Sequence, residues 1–136
     1  MRIMIDTNIL IMGSVLSSKY ILKLLEYIGK FHRTVLSDYI IDEFKSTAKN
    51  KFPDKYYLAE RFLQNFTFET VSTPEKIDTE KFPAIRDIKD LPILVSAITE
   101  NIDILITNDL DFKSVDIERP EILDPKSFLE KYCNFT

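Results

Sequence analysis

Carboxylates stand directly after two short apolar segments of the sequence. Asp6 directly follows the segment 2–5, and Asp109 and Asp111 follow the segment 102–106. A carboxylate that leaves a buried segment needs a cation or a hydrogen-bond donor, so both positions are candidates for chemistry. Each also has a structural explanation, because Asp commonly caps helices and turns.

Further carboxylates accompany two predicted helices. Glu43 stands about two turns into the helix predicted over 38–50, at the border of its apolar face. Asp87 and Asp90 lie just before the apolar helical pattern 91–98. Taken singly, Glu43 fits a solvated helix face and Asp90 fits a cap. Separate structural explanations that all converge on one place are less economical than a single shared site.

The chemistry of such a site follows from the residue types that are present and from those that are scarce. Clustered carboxylates without Cys or His partners favour Mg²⁺ or Mn²⁺. The chain has one Cys and one His, too few for a zinc cluster or an intramolecular disulfide, which fits a reducing compartment. The net charge of -4 argues against a nucleic-acid binder with a uniformly basic surface. A nuclease whose carboxylates surround metal remains compatible with that charge.

The elements that must position these groups alternate between strand and helix. Predicted strands are 2–5, 35–36, 66–71, 102–106 and 121–123. Predicted helices cover 21–28, 38–50, 53–65, 91–98 and the segment after Asp124, while 72–88 is a long connection with at most one helical turn. This order predicts an α/β fold, a three-layer sandwich whose mostly parallel sheet is flanked by helices. Ligands bind beyond the carboxyl ends of such strands, where the carboxylates stand.

The length of the chain predicts one domain over residues 1–136. Its longest apolar runs fall short of the roughly 20 residues of a membrane span, and the N-terminal stretch lacks the basic start of a signal peptide. We therefore expect a cytoplasmic protein without a membrane partner.

A cluster of basic residues offers one candidate surface for substrate. Four lysines fall within eleven positions, interleaved with aromatic residues: Lys45, Lys49, Lys51 and Lys55. Such a pattern can contact backbone phosphates and stack bases. The alternative is an ordinary solvated helix face.

Several segments together resemble PIN domains. The opening MIDTNILI, the segment LSDYIIDEF, the Asp-rich helix start RDIKDLPILVSAI and the Thr-x-Asp segment ILITNDLDF are all similar to that family. ILDPKSFLEKY resembles the strand and helix that close many members. The resemblance covers most of the chain, and it is especially close to the toxin components of bacterial and archaeal toxin–antitoxin pairs (VapC-like ribonucleases).

The resemblance also implies roles for individual residues. The catalytic, metal-binding acidic residues would be Asp6, Glu43, Asp90 and Asp109. The auxiliary residues would be Thr7, Asn8, Ser37, Asp87 and Asp111. Asn108 departs from the pattern, because many relatives carry Gly there.

The function implied by the resemblance is a Mg²⁺- or Mn²⁺-dependent endoribonuclease that hydrolyses RNA through a metal-activated water. A cognate antitoxin and homodimerisation are implied in the same way. One alternative is a catalytically silent PIN scaffold that binds RNA or protein. Another is a phosphoaspartate protein, either a response-regulator-like receiver or a phosphatase with Asp6 as nucleophile. This chain lacks the acidic pair before Asp6 that a receiver needs, and it has Asn8 where a phosphatase carries a second aspartate.

Overall fold

A central parallel sheet organises the protein, whose computed structural model describes residues 1–133. The strands are β1 (Arg2–Ile5), β2 (Arg33–Ser37), β3 (Glu69–Val71), β4 (Ile104–Ile106) and β5 (Glu121–Leu123). The helices are α1 (Thr7–Ser14), α2 (Lys19–Phe31), α3 (Asp38–Lys51), α4 (Tyr56–Asn65), α5 (Leu91–Thr99), α6 (Leu110–Lys113) and α7 (Pro125–Tyr132). The predicted class is confirmed: a five-stranded parallel sheet is flanked by seven helices in the described part of the chain.

The strand order β3-β2-β1-β4-β5 determines which chain segments meet at one edge. β1 lies between β2 and β4, with Met4 paired to both Val35 and Leu105. The backbone N–H of Asp6 continues this ladder and donates to the carbonyl of Ile106 at 3.0 Å. Because all these pairs are parallel, the residues that follow β1, β2 and β4 emerge at the same edge of the sheet.

The core lies on both sides of β1 and β4, whose apolar side chains are buried. α2 contributes one face, with Ile21, Leu24, Leu25 and Ile28 buried and the other side in water. α1 packs closely against α2 at Gly13, where a Cβ would come within 2.9 Å of Leu25 Cδ1. In residues 1–133 no single helix is long and apolar enough to cross a bilayer. Only α1 and α2 taken together meet the length and apolarity of a span, and they are bent by 114° relative to each other.

The predicted elements differ from the structure mainly at their ends. The strand predicted over 66–71 is shorter, because the N–H of Phe66 donates to Phe62 to close α4 and the two rings stack. The helix predicted from Pro53 begins with a 3-10 turn, Pro53–Lys55. The long connection contains one such turn, Thr79–Lys81, as expected.

Two helices were not predicted, α1 and the single-turn α6. α1 is apolar on nearly every side, with Ile9, Leu10 and Ile11 all buried. A helix without a polar face has no 3.6-residue alternation, so its periodicity is hidden in the sequence.

Candidate functional site

Asp6 forms the deep end of a group of carboxylates at the edge beyond β1 and β4. Its side chain is only 5% exposed and caps α1, with one oxygen accepting the N–H of Thr7 at 2.7 Å. The other oxygen accepts the hydroxyl of Thr107 at 2.7 Å. Burial raises the pKa of Asp6 to about 6, assisted by the charges of Glu43 and Asp109 and opposed by the two hydrogen bonds. The chain thus holds a carboxylate where its charge is poorly solvated.

Glu43 reaches this group from α3. The hydroxyl of Thr7 donates to Glu43 Oε1 at 2.5 Å, so Thr7 connects the carboxylate of α3 to the start of α1. Ser37 is buried at the N-cap of α3, where its hydroxyl accepts the N–H of Ile40 at 3.2 Å. Asn8 lies on the exposed side of α1.

Thr107 connects β1 to the segment that follows β4. Besides donating to Asp6, its hydroxyl accepts the N–H of Asp109 at 3.0 Å, and Asp109 in turn accepts the N–H of Asp111 at 2.9 Å. Sequence reasoning did not include Thr107 among the site residues. The available signal was its position in the Thr-x-Asp segment directly after a buried strand.

Asp90 is the carboxylate with the least protein support. The structural alternative was a cap for the following helix, but its side chain makes no capping hydrogen bond to α5. Asp87 caps the 3-10 turn Ile88–Asp90 that precedes α5, and accepts the N–H of Lys89 at 3.0 Å. Within the described residues, Asp90 Oδ2 is buried without a hydrogen-bond partner. The capping alternative for Asp90 is therefore wrong.

The surroundings of Asp90 are strongly acidic. Burial, followed by the adjacent charge of Asp109 and the charges of Asp6 and Asp87, raises the pKa of Asp90 to about 7. Carboxylate oxygens of Asp87, Asp90 and Asp111 lie within 4.8 Å of one another. All the atoms that could bind a metal are oxygens, and one of them, Asp90 Oδ2, is buried without a hydrogen-bond donor. The residues fit a hard divalent cation.

The structure thus brings the four sequence-predicted acidic residues close enough to interact electrostatically. The charges of Glu43 and Asp109 raise the pKa of Asp6, and the charges of Asp109 and Asp6 raise that of Asp90. Two residues predicted as auxiliary, Asp87 and Asp111, are drawn into the closest oxygen cluster with Asp90. The geometry therefore makes Asp87 and Asp111 candidate metal ligands, whereas the sequence predicted only an auxiliary role for them.

The four candidate substrate lysines lie on the outer surface. All are exposed, on α3 or the 3-10 turn after it: Lys45, Lys49, Lys51 and Lys55. Lys49 and Lys51 occupy the last turn of α3, where cations stabilise the helix dipole. That placement favours the solvated-face alternative, and substrate binding by these lysines stays a prediction.

Sequence reasoning missed two more residues next to the carboxylates. The hydroxyl of Tyr39, on α3, donates to the carbonyl of Lys89 at 2.7 Å and so ties α3 to the turn that carries Asp87 and Asp90. Arg86 Nη1 lies 3.9 Å from Asp111 Oδ1. Tyr39 had a signal, since it precedes Glu43 by one helical turn, whereas Arg86 had none.

Comparison with known proteins is consistent with this geometry. The sequence matches the PIN domain family over residues 2–111. No curated protein matches the chain. A chain in the crystal structure of VapBC2 from Rickettsia felis bound to a DNA fragment from their promoter is similar in fold, with a TM-score of 0.67 and 21% identity over 91% of this chain and 98% of that one. With most of its length matched and its sheet and acidic edge in place, the chain belongs to the PIN domain family.

Proposed function

We propose that this protein is a divalent-metal-dependent endoribonuclease. The observation that carries the proposal is Asp90: a carboxylate with a buried, donor-free oxygen, facing other carboxylates at the carboxyl edge of a parallel sheet. Such an arrangement costs free energy in a metal-free protein and is retained where a cation neutralises it. Asp6, Glu43, Asp90 and Asp109 would hold Mg²⁺ or Mn²⁺, with Asp87 and Asp111 beside them.

On this proposal the carboxylates bind the metal and nearby hydroxyl groups orient the carboxylates. A bound divalent cation would supply the positive charge that lets a phosphodiester approach and that favours ionisation of the attacking water. Thr107 fixes the orientation of Asp6 and Asp109, and Thr7 fixes that of Glu43. No Ser or Cys nucleophile is needed, so hydrolysis by water without a covalent enzyme intermediate is the chemistry that this side-chain set supports.

The proposed biological role is that of the toxin in a toxin–antitoxin pair. Support comes from family membership and from the likeness in fold to a chain of the VapBC2 structure from Rickettsia felis. On this proposal RNA is the substrate, an antitoxin protein binds this chain, and homodimerisation is a further expected association.

The nuclease proposal is tested by incubating purified protein with 5′-labelled single-stranded RNA in Mg²⁺, in Mn²⁺ and in EDTA. Wild type should cut the RNA only with metal, and Asp6→Asn and Glu43→Gln should each reduce cleavage at least ~100-fold. Asp42→Asn is the matched control, because Asp42 is the exposed neighbour of Glu43 on α3. Metal-dependent RNA binding without cleavage would instead identify the silent scaffold, and equal cleavage by Asp6→Asn would refute the proposed site.

A further inference from the structure

One basic side chain forms an ion pair with the acidic group in the described structure. Six ion pairs occur among residues 1–133, and five of them involve carboxylates outside the candidate site: Glu69, Asp124, Asp103 and Glu121. The sixth joins Arg86 Nη1 to Asp111 Oδ1 at 3.9 Å. Arg86 is thus the one basic residue that the described structure pairs with the carboxylates of the candidate site.

The pair is loose. Its distance exceeds that of a hydrogen bond, and the Arg86 side chain is 87% exposed whereas that of Asp111 is 22% exposed. An exposed ion pair of this kind contributes little to stability, so it is not the main stabilisation of either segment. The guanidinium retains nearly all of its donors for another acceptor.

The partner of Arg86 is also a candidate metal ligand. Asp111 belongs to the oxygen cluster with Asp87 and Asp90, so a bound cation would compete with the guanidinium for the charge of this carboxylate. With that charge engaged by a cation, the exposed Arg86 guanidinium would stand beside the acidic group free to take a second anion. On the proposed function the approaching anion is a phosphodiester, two of whose oxygens the planar guanidinium can match.

We propose that Arg86 is a substrate-contacting residue, whose guanidinium binds a non-bridging phosphate oxygen of single-stranded RNA at the mouth of the acidic site. This inference rests on the proposed nuclease function. It places a phosphate contact in the connection that precedes Asp87, separate from the surface predicted at the four lysines. The contact is to the backbone, so it adds affinity without base specificity.

Binding is measured by fluorescence anisotropy of a labelled RNA 12-mer in Mg²⁺, in an Asp6→Asn background that keeps the RNA intact. Arg86→Gln should weaken binding ~5-fold and reduce the slope of log K against log salt by about 0.7, the value for one lost contact to a single strand. Arg86→Lys should recover part of the affinity. In the cleaving protein, Arg86→Gln should raise KM more than it lowers kcat.

The matched control is Arg33→Gln, which removes the same charge. Arg33 is also exposed, at 70%, and also forms a long pair, 3.5 Å from Glu69, but it stands at the start of β2, at the opposite edge of the sheet. It should leave affinity, salt slope and KM unchanged.

Equal effects of Arg86→Gln and Arg33→Gln would overturn the proposal. So would an Arg86→Gln variant that binds Mn²⁺ more tightly but keeps the wild-type RNA affinity, since Arg86 would then only offset the charge of Asp111. Failure of the nuclease function itself looks different, because the wild type would then show no Asp6-dependent cleavage.

Discussion

At the scale of single residues, the carboxylates of the acidic group differ in the hydrogen-bond donors that face them. Asp87 and Asp109 accept backbone N–H groups at helix starts, and Asp6 accepts both an N–H and a hydroxyl. Asp90 Oδ2 has no such donor in the described structure. Since unpaired buried charge is costly, Asp90 is where stability and proposed function conflict.

That conflict predicts a stabilised variant. In EDTA at pH 8, Asp90→Asn should raise the free energy of unfolding by about 1–2 kcal/mol, because water screens part of the repulsion at this partly exposed side chain. The amide removes the repulsion from Asp109 and Asp6 and supplies a donor. Urea denaturation followed by circular dichroism measures the change. Asp116→Asn, in an exposed loop, is the control with little expected effect, and a destabilised Asp90→Asn would contradict the interpretation.

The pKa of Asp6 predicts a pH dependence of stability. Because the folded-state pKa is about 6 and the ordinary value is 3.8, the folded protein holds this proton more tightly than the unfolded chain. The resulting stabilisation is present below about pH 4 and is lost as pH rises through 6. In EDTA, the stability of wild type relative to Asp6→Asn should therefore fall by about 2.5 kcal/mol between pH 4 and pH 8. A difference that stays constant with pH would show that Asp6 titrates normally.

At the scale of elements, short hydroxyl side chains and a close helix contact hold the carboxylates in place. Thr107 links β4 to β1 through Asp6, and Thr7 links α1 to α3 through Glu43. The hydroxyl of Tyr39 secures the turn before α5. The position of α1, whose cap is Asp6 itself, depends on its contact with α2.

Two glycines test that contact. A Cβ on Gly13 would lie 2.9 Å from Leu25 Cδ1 and 3.1 Å from Ile21 Cγ2, both buried, so Gly13→Ala should destabilise the protein by about 1 kcal/mol or more. Gly29, on the exposed side of α2, meets nothing within 4 Å. Gly29→Ala should stabilise by about 0.5–1 kcal/mol through helix propensity alone. Calorimetric melting compares the pair, and equal stabilisation by both would show that α1 and α2 are not tightly packed.

At the scale of the whole molecule, a sheet with all its strands parallel concentrates negative charge at one edge, on a protein with net charge -4. Cation binding at that edge should be linked to folding, because the unfolded chain scatters the same carboxylates. The free energy of unfolding should then depend on the concentration of divalent ions.

Mg²⁺ or Mn²⁺ should therefore raise the melting temperature, and EDTA should reverse the rise. At a metal concentration of one hundred times Kd, the free energy of unfolding should rise by about 2.7 kcal/mol. For a domain of this size, that corresponds to a rise in melting temperature of roughly 10 °C. Differential scanning fluorimetry at constant ionic strength gives the shift. Asp42→Asn should respond like wild type and Asp90→Asn much less. An unchanged response in Asp90→Asn would remove that residue from the proposed metal site.

The order of strands and helices, and most of the candidate site, were readable from the chain itself. Alternation of apolar segments and amphipathic patterns is local information, so β1, α2, α3, α5 and β5 were all predicted near their observed positions. The rule that parallel strands end at one edge then placed Asp6 and Asp109 together. α1 was not predicted because a helix that is apolar on nearly every side carries little periodic signal.

Distances between segments far apart in sequence depend on packing, and no local pattern encodes them. Asp6 and Thr107 are 101 positions apart, yet their side chains meet at 2.7 Å. Whether Asp87 or Asp90 caps a helix start depends on which neighbouring carboxylates and backbone donors surround each one in the fold. Residue types and order thus establish that carboxylates gather at the sheet edge, whereas burial and neighbouring charge establish which of them lacks a partner. Solvation and Coulomb energies depend on three-dimensional distance and only indirectly on position along the chain.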